Sequence, residues 1–135
     1  MFKRMLSILV VVVLSVVGMS TVACADEASP YWLYTSTATS ELSFLGTAAT
    51  CKSEAKGYIA ITTEIVITQT LQKNTSGLSW STVKTWTETD TGYIGSATNR
   101  AYLLPSGTYR LKTVFKVYSG TKCETITKYS SSVTI

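Results

Sequence analysis

The stretch TYRLKTVFKVY, residues 108–118, decides the fold. Apolar side chains recur at every second position, with Tyr109, Leu111 and Phe115 on one side of an extended chain. Basic side chains project from the opposite side, and they are Arg110, Lys112 and Lys116. A period of two predicts a β-strand with one face in an apolar core and the other face in water.

The segments that flank this strand predict a hairpin and an anchored loop. Ser119-Gly120 is a turn signal, and residues 121–129 alternate again, so this segment is predicted to pair with the first strand. On the other side, Gly107-Thr108-Tyr109 resembles a tyrosine corner, in which a tyrosine at the start of a late strand fastens the preceding loop.

A second hairpin is predicted from residues 58–73 and 79–88, joined by a turn at residues 74–77. Pairing Ile67 with Val83 buries both side chains and places Trp80 and Trp86 together on the outward face. A competing register puts Trp80 opposite Leu71, but it also drives Lys84 against Ile67. We therefore expect the first register.

The remaining chain supplies shorter strands at residues 31–35, 41–44, 47–53 and 93–104. With the two hairpins they make about seven strands in a chain rich in threonine, serine and aromatic residues. The predicted fold is all-β, a single immunoglobulin-like β-sandwich domain at residues 26–135, with a barrel as the alternative.

Residues 1–25 have the composition of a signal peptide. Lys3 and Arg4 form a charged start, residues 6–17 an apolar run, and Ala23-Cys24-Ala25 a small-residue end. Cleavage is predicted before Asp26, which predicts a secreted protein. The alternatives are a retained membrane anchor and a lipid-anchored protein modified at Cys24.

The exported domain then contains Cys51 and Cys123. An even pair of cysteines in an exported chain predicts a disulfide between them. The alternative is two separate buried thiols.

The run Leu71-Gln72-Lys73, followed by Trp80, Trp86 and Gly107-x-Tyr109-Arg110, resembles small secreted proteins of Gram-positive bacteria that are classed as a domain of unknown function. The resemblance extends from Ile65 to the C-terminus. It implies an exported β-sandwich, and it carries over no catalytic residue, cofactor or substrate.

Composition argues against several kinds of chemistry. The chain has no histidine, which excludes histidine-based triads and histidine metal sites within it. Lys and Arg number 12 and Asp and Glu number 8, a formal charge of +4. From residue 26 onward the charge is +2, which is too mild to indicate nucleic-acid binding. Glu88 and Asp90 share a strand face but are read as solvated hairpin charges. We therefore expect no catalytic residue, no metal site and no cofactor.

The residues predicted to bind a partner lie on two candidate faces. Trp80, Lys84 and Trp86 form an aromatic face, and Arg110, Lys112 and Lys116, which Lys128 is expected to join from the neighbouring strand, form a basic face. Aromatic rings stack on sugar faces and basic groups attract acidic polymers, so the expected partner is a cell-wall polymer or glycan. A membrane is not expected after processing unless Cys24 is lipidated.

The sequence therefore predicts a non-catalytic exported protein with a binding or structural role at the bacterial cell envelope or outside it. A small secreted effector or inhibitor is the alternative. A hydrolase that uses two carboxylates is a further alternative, which the absence of a nucleophile–base pair disfavours.

Overall fold

The computed structural model describes Cys24 and residues 32–135. Regular structure in this part of the chain is entirely β-strand, and it contains no helix long and apolar enough to span a bilayer. The strands are β1 (Thr35–Leu45), β2 (Ala48–Gly57), β3 (Glu64–Ser76), β4 (Ser79–Thr91), β5 (Ile94–Ala101), β6 (Thr108–Ser119), β7 (Lys122–Tyr129) and β8 (Val133–Thr134).

The strands form two antiparallel sheets that face each other across a core. The smaller sheet has the order β1-β2-β5, and the larger has the order β4-β3-β6-β7, with β8 paired to β6. The predicted immunoglobulin-like β-sandwich is therefore confirmed. In the strand lettering of the immunoglobulin fold, β1, β2 and β5 correspond to strands A, B and E, and β3, β6 and β7 correspond to strands C, F and G.

The connections between strands lie at two opposite ends of the sandwich. Residues 45–47, 76–79 and 102–107 lie at one end, here named the leucine end, where the amide of Leu104 donates to the carbonyl oxygen of Thr47 at 3.1 Å. Residues 58–63, 92–93 and 120–121 lie at the other, here named the isoleucine end, where the amide of Gly92 donates to the carbonyl oxygen of Thr63 at 2.7 Å.

Two apolar clusters fill the space between the sheets. The cluster toward the leucine end is built around Leu71 and Tyr109, and the cluster toward the isoleucine end around Ile67 and Phe115. All four side chains are fully buried. The inward positions of β6 are those that the sequence period predicted.

A buried amide lies between the two clusters. Gln69 Nε2 is within hydrogen-bond distance of the carbonyl oxygens of Cys51 (3.1 Å) and Ala97 (3.2 Å) and of Ser53 Oγ (2.8 Å). Asn99 Nδ2 donates to Gln69 Oε1 at 2.7 Å. Because these contacts join β3 to β2 and β5, they fix how the two sheets are placed against each other.

The predicted tyrosine corner is confirmed. The Tyr109 hydroxyl donates to the carbonyl oxygen of Pro105 at 2.6 Å, four residues upstream. Burial raises the pKa of the Tyr109 hydroxyl, so the group remains a neutral donor. The ring also contacts the Phe44 ring, with centroids 5.4 Å apart, which joins β6 to β1.

The predicted hairpin of β3 and β4 is confirmed, but its predicted register is wrong. Ile67 lies opposite Glu88, and a β-bulge places the extra residue Val83 between the pairs Leu71–Lys84 and Gln72–Thr82. One inserted residue reverses the inward and outward positions beyond it. Trp80 consequently faces outward from the larger sheet, whereas Trp86 faces the core.

The predicted strand at residues 58–73 begins later than expected. The amides of Ile61 and Thr62 both donate to the carbonyl oxygen of Tyr58, at 3.1 and 2.9 Å, which closes a turn. Thr62 is buried and its hydroxyl donates to the carbonyl oxygen of Tyr34. Ile59 and Ile61 share the parity of Ile65 and Ile67 in the sequence, but they lie exposed in this turn.

The predicted Cys51–Cys123 disulfide is wrong. Cys123 is bonded to Cys24, with their Cα atoms 4.4 Å apart, and Cys51 is a free, buried thiol. Cys51 projects into the core from the smaller sheet, whereas Cys123 lies opposite Tyr118 in a row that faces away from the core. The larger sheet therefore separates the two sulfur atoms.

The disulfide also bears on the predicted signal peptide. Residues 1–23 and 25–31, including the predicted cleavage point between Ala25 and Asp26, lie outside the described residues, so that cleavage stays a prediction. A chain cleaved there would nevertheless lack Cys24. The disulfide itself is typical of proteins in oxidising compartments outside the cytosol.

Candidate functional site

The candidate site is the outward face of the larger sheet, here named the binding face. Its rows of side chains follow from the register of β4, β3, β6 and β7. Among the described residues, the basic side chains on this face are Arg110, Lys112 and Lys116, all from β6. The acidic side chain among them is Glu64, at the isoleucine end.

Arg110 lies between two aromatic rings on the binding face. Its guanidinium carbon is 4.2 Å from the centroid of the Trp80 ring and 4.4 Å from that of the Tyr129 ring. The Nε–H group donates to Gln72 Oε1 at 2.8 Å. Side chains from β4, β3 and β7 thus hold the Arg110 guanidinium in one orientation. Its contacts with the two rings are of the kind that planar guanidinium groups make with aromatic faces.

A guanidinium that is held in this way presents its Nη groups as a rigid fork. The group has five N–H donors, and the bond to Gln72 uses the one on Nε. The Nη donors match the spacing of two oxygens in a phosphate or carboxylate. Less side-chain freedom is lost on binding because the aromatic rings already orient the group.

Threonine fills most of the remaining positions of the binding face. Thr68 Oγ1 and Thr87 Oγ1 are 3.5 Å apart across β3 and β4. The threonines in these rows are Thr68, Thr70, Thr82, Thr85, Thr87, Thr89, Thr91, Thr125 and Thr127. Their hydroxyls give the face both hydrogen-bond donors and acceptors around the basic strand.

The structure brings together four of the six predicted binding residues. Trp80, Arg110, Lys112 and Lys116 lie on the binding face. Lys84 and Trp86 do not.

The β-bulge places Lys84 and Trp86 on the opposite side of β4. There the Lys84 ammonium lies 5.3 Å from the Trp86 ring centroid, and Trp86 packs against the core cluster of Leu71. Lys128 is also absent from the binding face, because it lies opposite Thr113, which faces the core, with its ammonium 4.9 Å from the Trp32 ring.

Two of the described carboxylates bind separate parts of the backbone rather than lying together in a site. Asp90 accepts a hydrogen bond from the amide of Ser96 at 3.0 Å. Glu124 accepts from the amides of Leu33 and Tyr34, at 2.9 and 2.7 Å. Within Cys24 and residues 32–135 no group of three or more potential metal ligands occurs.

Two contributors to the binding face were missing from the sequence prediction, Gln72 and Tyr129. Both lie in rows that alternation assigns to the outward side of their strands, Gln72 opposite Arg110 and Tyr129 opposite Lys112. Tyr129 lies opposite Lys112 and therefore diagonally across from Arg110, two positions from Lys112 on β6. Diagonal neighbours on adjacent strands are within reach of aromatic side chains, and this relationship could have located Tyr129 from the sequence.

Comparison with protein-family models, with curated proteins and with solved structures gives no match for this chain.

Proposed function

We propose that this protein is an exported, non-catalytic binding protein of the bacterial cell envelope or its surroundings, and that the binding face takes an anionic polymer with repeating phosphate groups. The observation that carries the proposal is Arg110, whose guanidinium lies 4.2 Å from the Trp80 ring centroid and 4.4 Å from the Tyr129 ring centroid, with its Nε–H donating to Gln72. Exposed arginines without such contacts are far less ordered.

The spacing of the basic groups favours a long ligand. Arg110 and Lys112 are two residues apart on one face, which is about 7 Å along a strand, and Lys116 is about 13 Å farther. A single small anion reaches one of these groups at a time. A polymer that carries a charge on every unit reaches all three, and the threonine rows supply hydrogen bonds between them.

Secretion is part of the same proposal. The Cys24–Cys123 disulfide requires an oxidising compartment and a chain that keeps Cys24. We therefore place removal of the signal segment on the N-terminal side of Cys24. A lipid on Cys24 is incompatible with the disulfide, because both need the same sulfur atom.

The experiment is a binding titration of the exported protein with purified wall teichoic acid, with a neutral glucan as the comparison polymer. Arg110→Gln keeps a polar side chain with hydrogen-bonding groups but removes the charge. Arg100→Gln is the matched control, because Arg100 is an exposed arginine on the outward side of the smaller sheet.

We expect wild type and Arg100→Gln to bind the teichoic acid equally, within about twofold, and Arg110→Gln to bind about tenfold more weakly. Affinity should fall as salt is raised. Equal affinity of Arg110→Gln and wild type, or tighter binding to the neutral glucan, would overturn the proposal. Thermal melts of both variants establish that they are folded.

A further inference from the structure

Apolar side chains protrude from the turns of the leucine end. Leu45 is 88% exposed, Leu78 98%, Leu103 87% and Tyr102 66%. Turns usually contain glycine, asparagine, aspartate or serine at such positions. Single exposed apolar residues are ordinary, but several at one end of a small domain mark a surface that contacts something apolar.

The backbone brings these turns side by side. The hydrogen bond from the Leu104 amide to the Thr47 carbonyl oxygen joins the Leu45 turn to the loop that carries Leu103. Gly107 of that loop lies against the aliphatic part of Lys73, close to the β3–β4 turn that carries Leu78. Leu103 has a φ of 55°, a left-handed conformation that disfavours leucine. Exposed leucine is thus present at a position that suits asparagine better.

Charge is distributed unevenly along the sandwich. In the larger sheet the carboxylates lie between Ile67 and the isoleucine end, and they are Glu64, Glu88, Asp90 and Glu124. Lys73, Arg100 and Arg110 lie toward the leucine end. The protruding leucines are therefore flanked by positive charge and separated from most of the negative charge.

We propose that the leucine end docks on an anionic lipid bilayer, with Leu45, Leu78 and Leu103 inserted at the boundary between headgroups and acyl chains. Apolar tips beside basic groups suit this environment, because the tips enter the apolar layer while the cations meet acidic headgroups. Separate convex tips suit a deformable bilayer better than a protein partner, which needs a hollow for each tip. This contact goes beyond the polymer binding proposed above and departs from the sequence-based expectation of no membrane contact.

The isoleucine end provides an internal control. Ile59 is 71% exposed in the turn at residues 58–63, and Tyr58, Ile61 and Ile94 are 42%, 46% and 53% exposed beside it. Exposure of apolar side chains therefore does not distinguish the two ends, and the difference between them is one of charge. Glu64 lies next to this turn, and Asp90 lies one row farther along. Lys56 and Lys122 also lie at this end, but Glu54, Glu88 and Glu124 add further carboxylates to the same half of the sandwich. Carboxylates are repelled by an anionic bilayer, so Ile59 is not expected to insert.

The test is co-sedimentation of the exported protein with vesicles of phosphatidylglycerol and with vesicles of phosphatidylcholine. The test variant combines Leu78→Ser with Leu103→Asn. The control variant is Ile59→Ser. Both change exposed turn residues, and asparagine tolerates the φ of position 103, so both variants are expected to fold, which thermal melts check. Arg110 is unchanged, so the polymer titration of the same proteins separates failure of this proposal from failure of the first.

We expect the wild-type protein to sediment with phosphatidylglycerol vesicles and to remain mostly in solution with phosphatidylcholine vesicles. The Leu78→Ser/Leu103→Asn variant should lose about tenfold or more of its partitioning, since two apolar side chains that insert into the bilayer are replaced by polar ones, while Ile59→Ser behaves as wild type. No binding of wild type to either vesicle, or equal losses in both variants, overturns the proposal. A dimer in sedimentation velocity that only the double variant dissociates, without vesicle binding, overturns it in favour of a second copy of this chain.

Discussion

The sulfur atoms of Cys24 and Cys123 are joined in a disulfide that ties the chain ahead of β1 to the start of β7. The next residue, Glu124, accepts hydrogen bonds from the amides of Leu33 and Tyr34 and from the hydroxyl of Thr35. Two successive residues of β7 therefore attach the chain ahead of β1, Cys123 through the disulfide and Glu124 through hydrogen bonds. The bond joins residues 99 positions apart, for which the chain-entropy estimate is about 4–5 kcal/mol of stabilisation.

The first prediction is that the exported chain begins at or before Cys24 and carries no acyl group. The reason is that Cys24 must be present, with its sulfur unmodified, for the disulfide to form. Intact-mass measurement followed by non-reducing peptide mapping should show a linked pair containing Cys24 and Cys123. A chain that starts at Asp26, or one with lipid at Cys24, would contradict the structure.

The second prediction concerns the remaining cysteine. Burial raises the pKa of the Cys51 thiol from 9.0 to about 11, so at pH 8 it is almost entirely protonated and shielded from reagents. A thiol reagent should label the native protein at least about a hundredfold more slowly than the urea-unfolded protein. Rapid labelling of the native protein would show that Cys51 is accessible.

The same thiol gives a pH dependence with a definite sign. Between pH 9.0 and about 11 the unfolded chain loses the Cys51 proton while the folded chain keeps it. The free energy of unfolding should therefore fall as pH rises through this range. The stabilisation that comes from the protonated Cys51 thiol is fully present below pH 9.0. Cys51→Ala should show a smaller decline than wild type, which urea titrations at several pH values would measure.

Alternation was sufficient to predict strands where one face is buried and the other is solvated, as in β6. It could not reveal the bulge at Val83, because an inserted residue leaves the local pattern of β4 intact and changes only its relation to β3. The turn at residues 58–63 was missed for a related reason. Ile59 and Ile61 have the same parity as Ile65 in the sequence, so alternation extends the strand back to them. In the structure the chain turns at the buried Thr62, and β3 begins only at Glu64.

The site could be predicted where it depends on a single strand. Arg110, Lys112 and Lys116 project together because they alternate along β6, whereas grouping Trp80 with Trp86 depended on the pairing of β4. The disulfide partner was predicted wrongly because Cys24 was assigned to the removed segment. Composition does not distinguish a cleavage point before that residue from one after it.

The third prediction is that Gln69→Leu destabilises the fold. Leucine has a similar volume but leaves Asn99 Nδ2 and the carbonyl oxygens of Cys51 and Ala97 without the amide that they contact. A buried polar group without a partner costs about 1–3 kcal/mol. Urea unfolding should show a loss of that size or more. Gln72→Leu, at a partly exposed position, should cost less, and equal losses would mean that the buried contacts do not matter.

The last prediction separates the two tryptophans that the sequence placed together. Trp86 is partly buried against the core cluster of Leu71, whereas Trp80 stacks on Arg110 outside the sheet. Trp86→Ala should therefore lower the free energy of unfolding by about 2–3 kcal/mol, part of the cost of a fully buried ring. Trp80→Ala should cost about 1 kcal/mol, the size of an exposed cation–π contact.

Polymer binding should respond in the opposite order. Loss of Trp80 frees the Arg110 guanidinium on one side, so teichoic acid affinity should fall in Trp80→Ala and stay near wild type in Trp86→Ala. Urea unfolding and the binding titration, carried out on the same two variants, measure both effects. If the two variants lose stability equally and bind equally, then the β-bulge does not place their rings on opposite sides of β4, and the binding face as described is wrong.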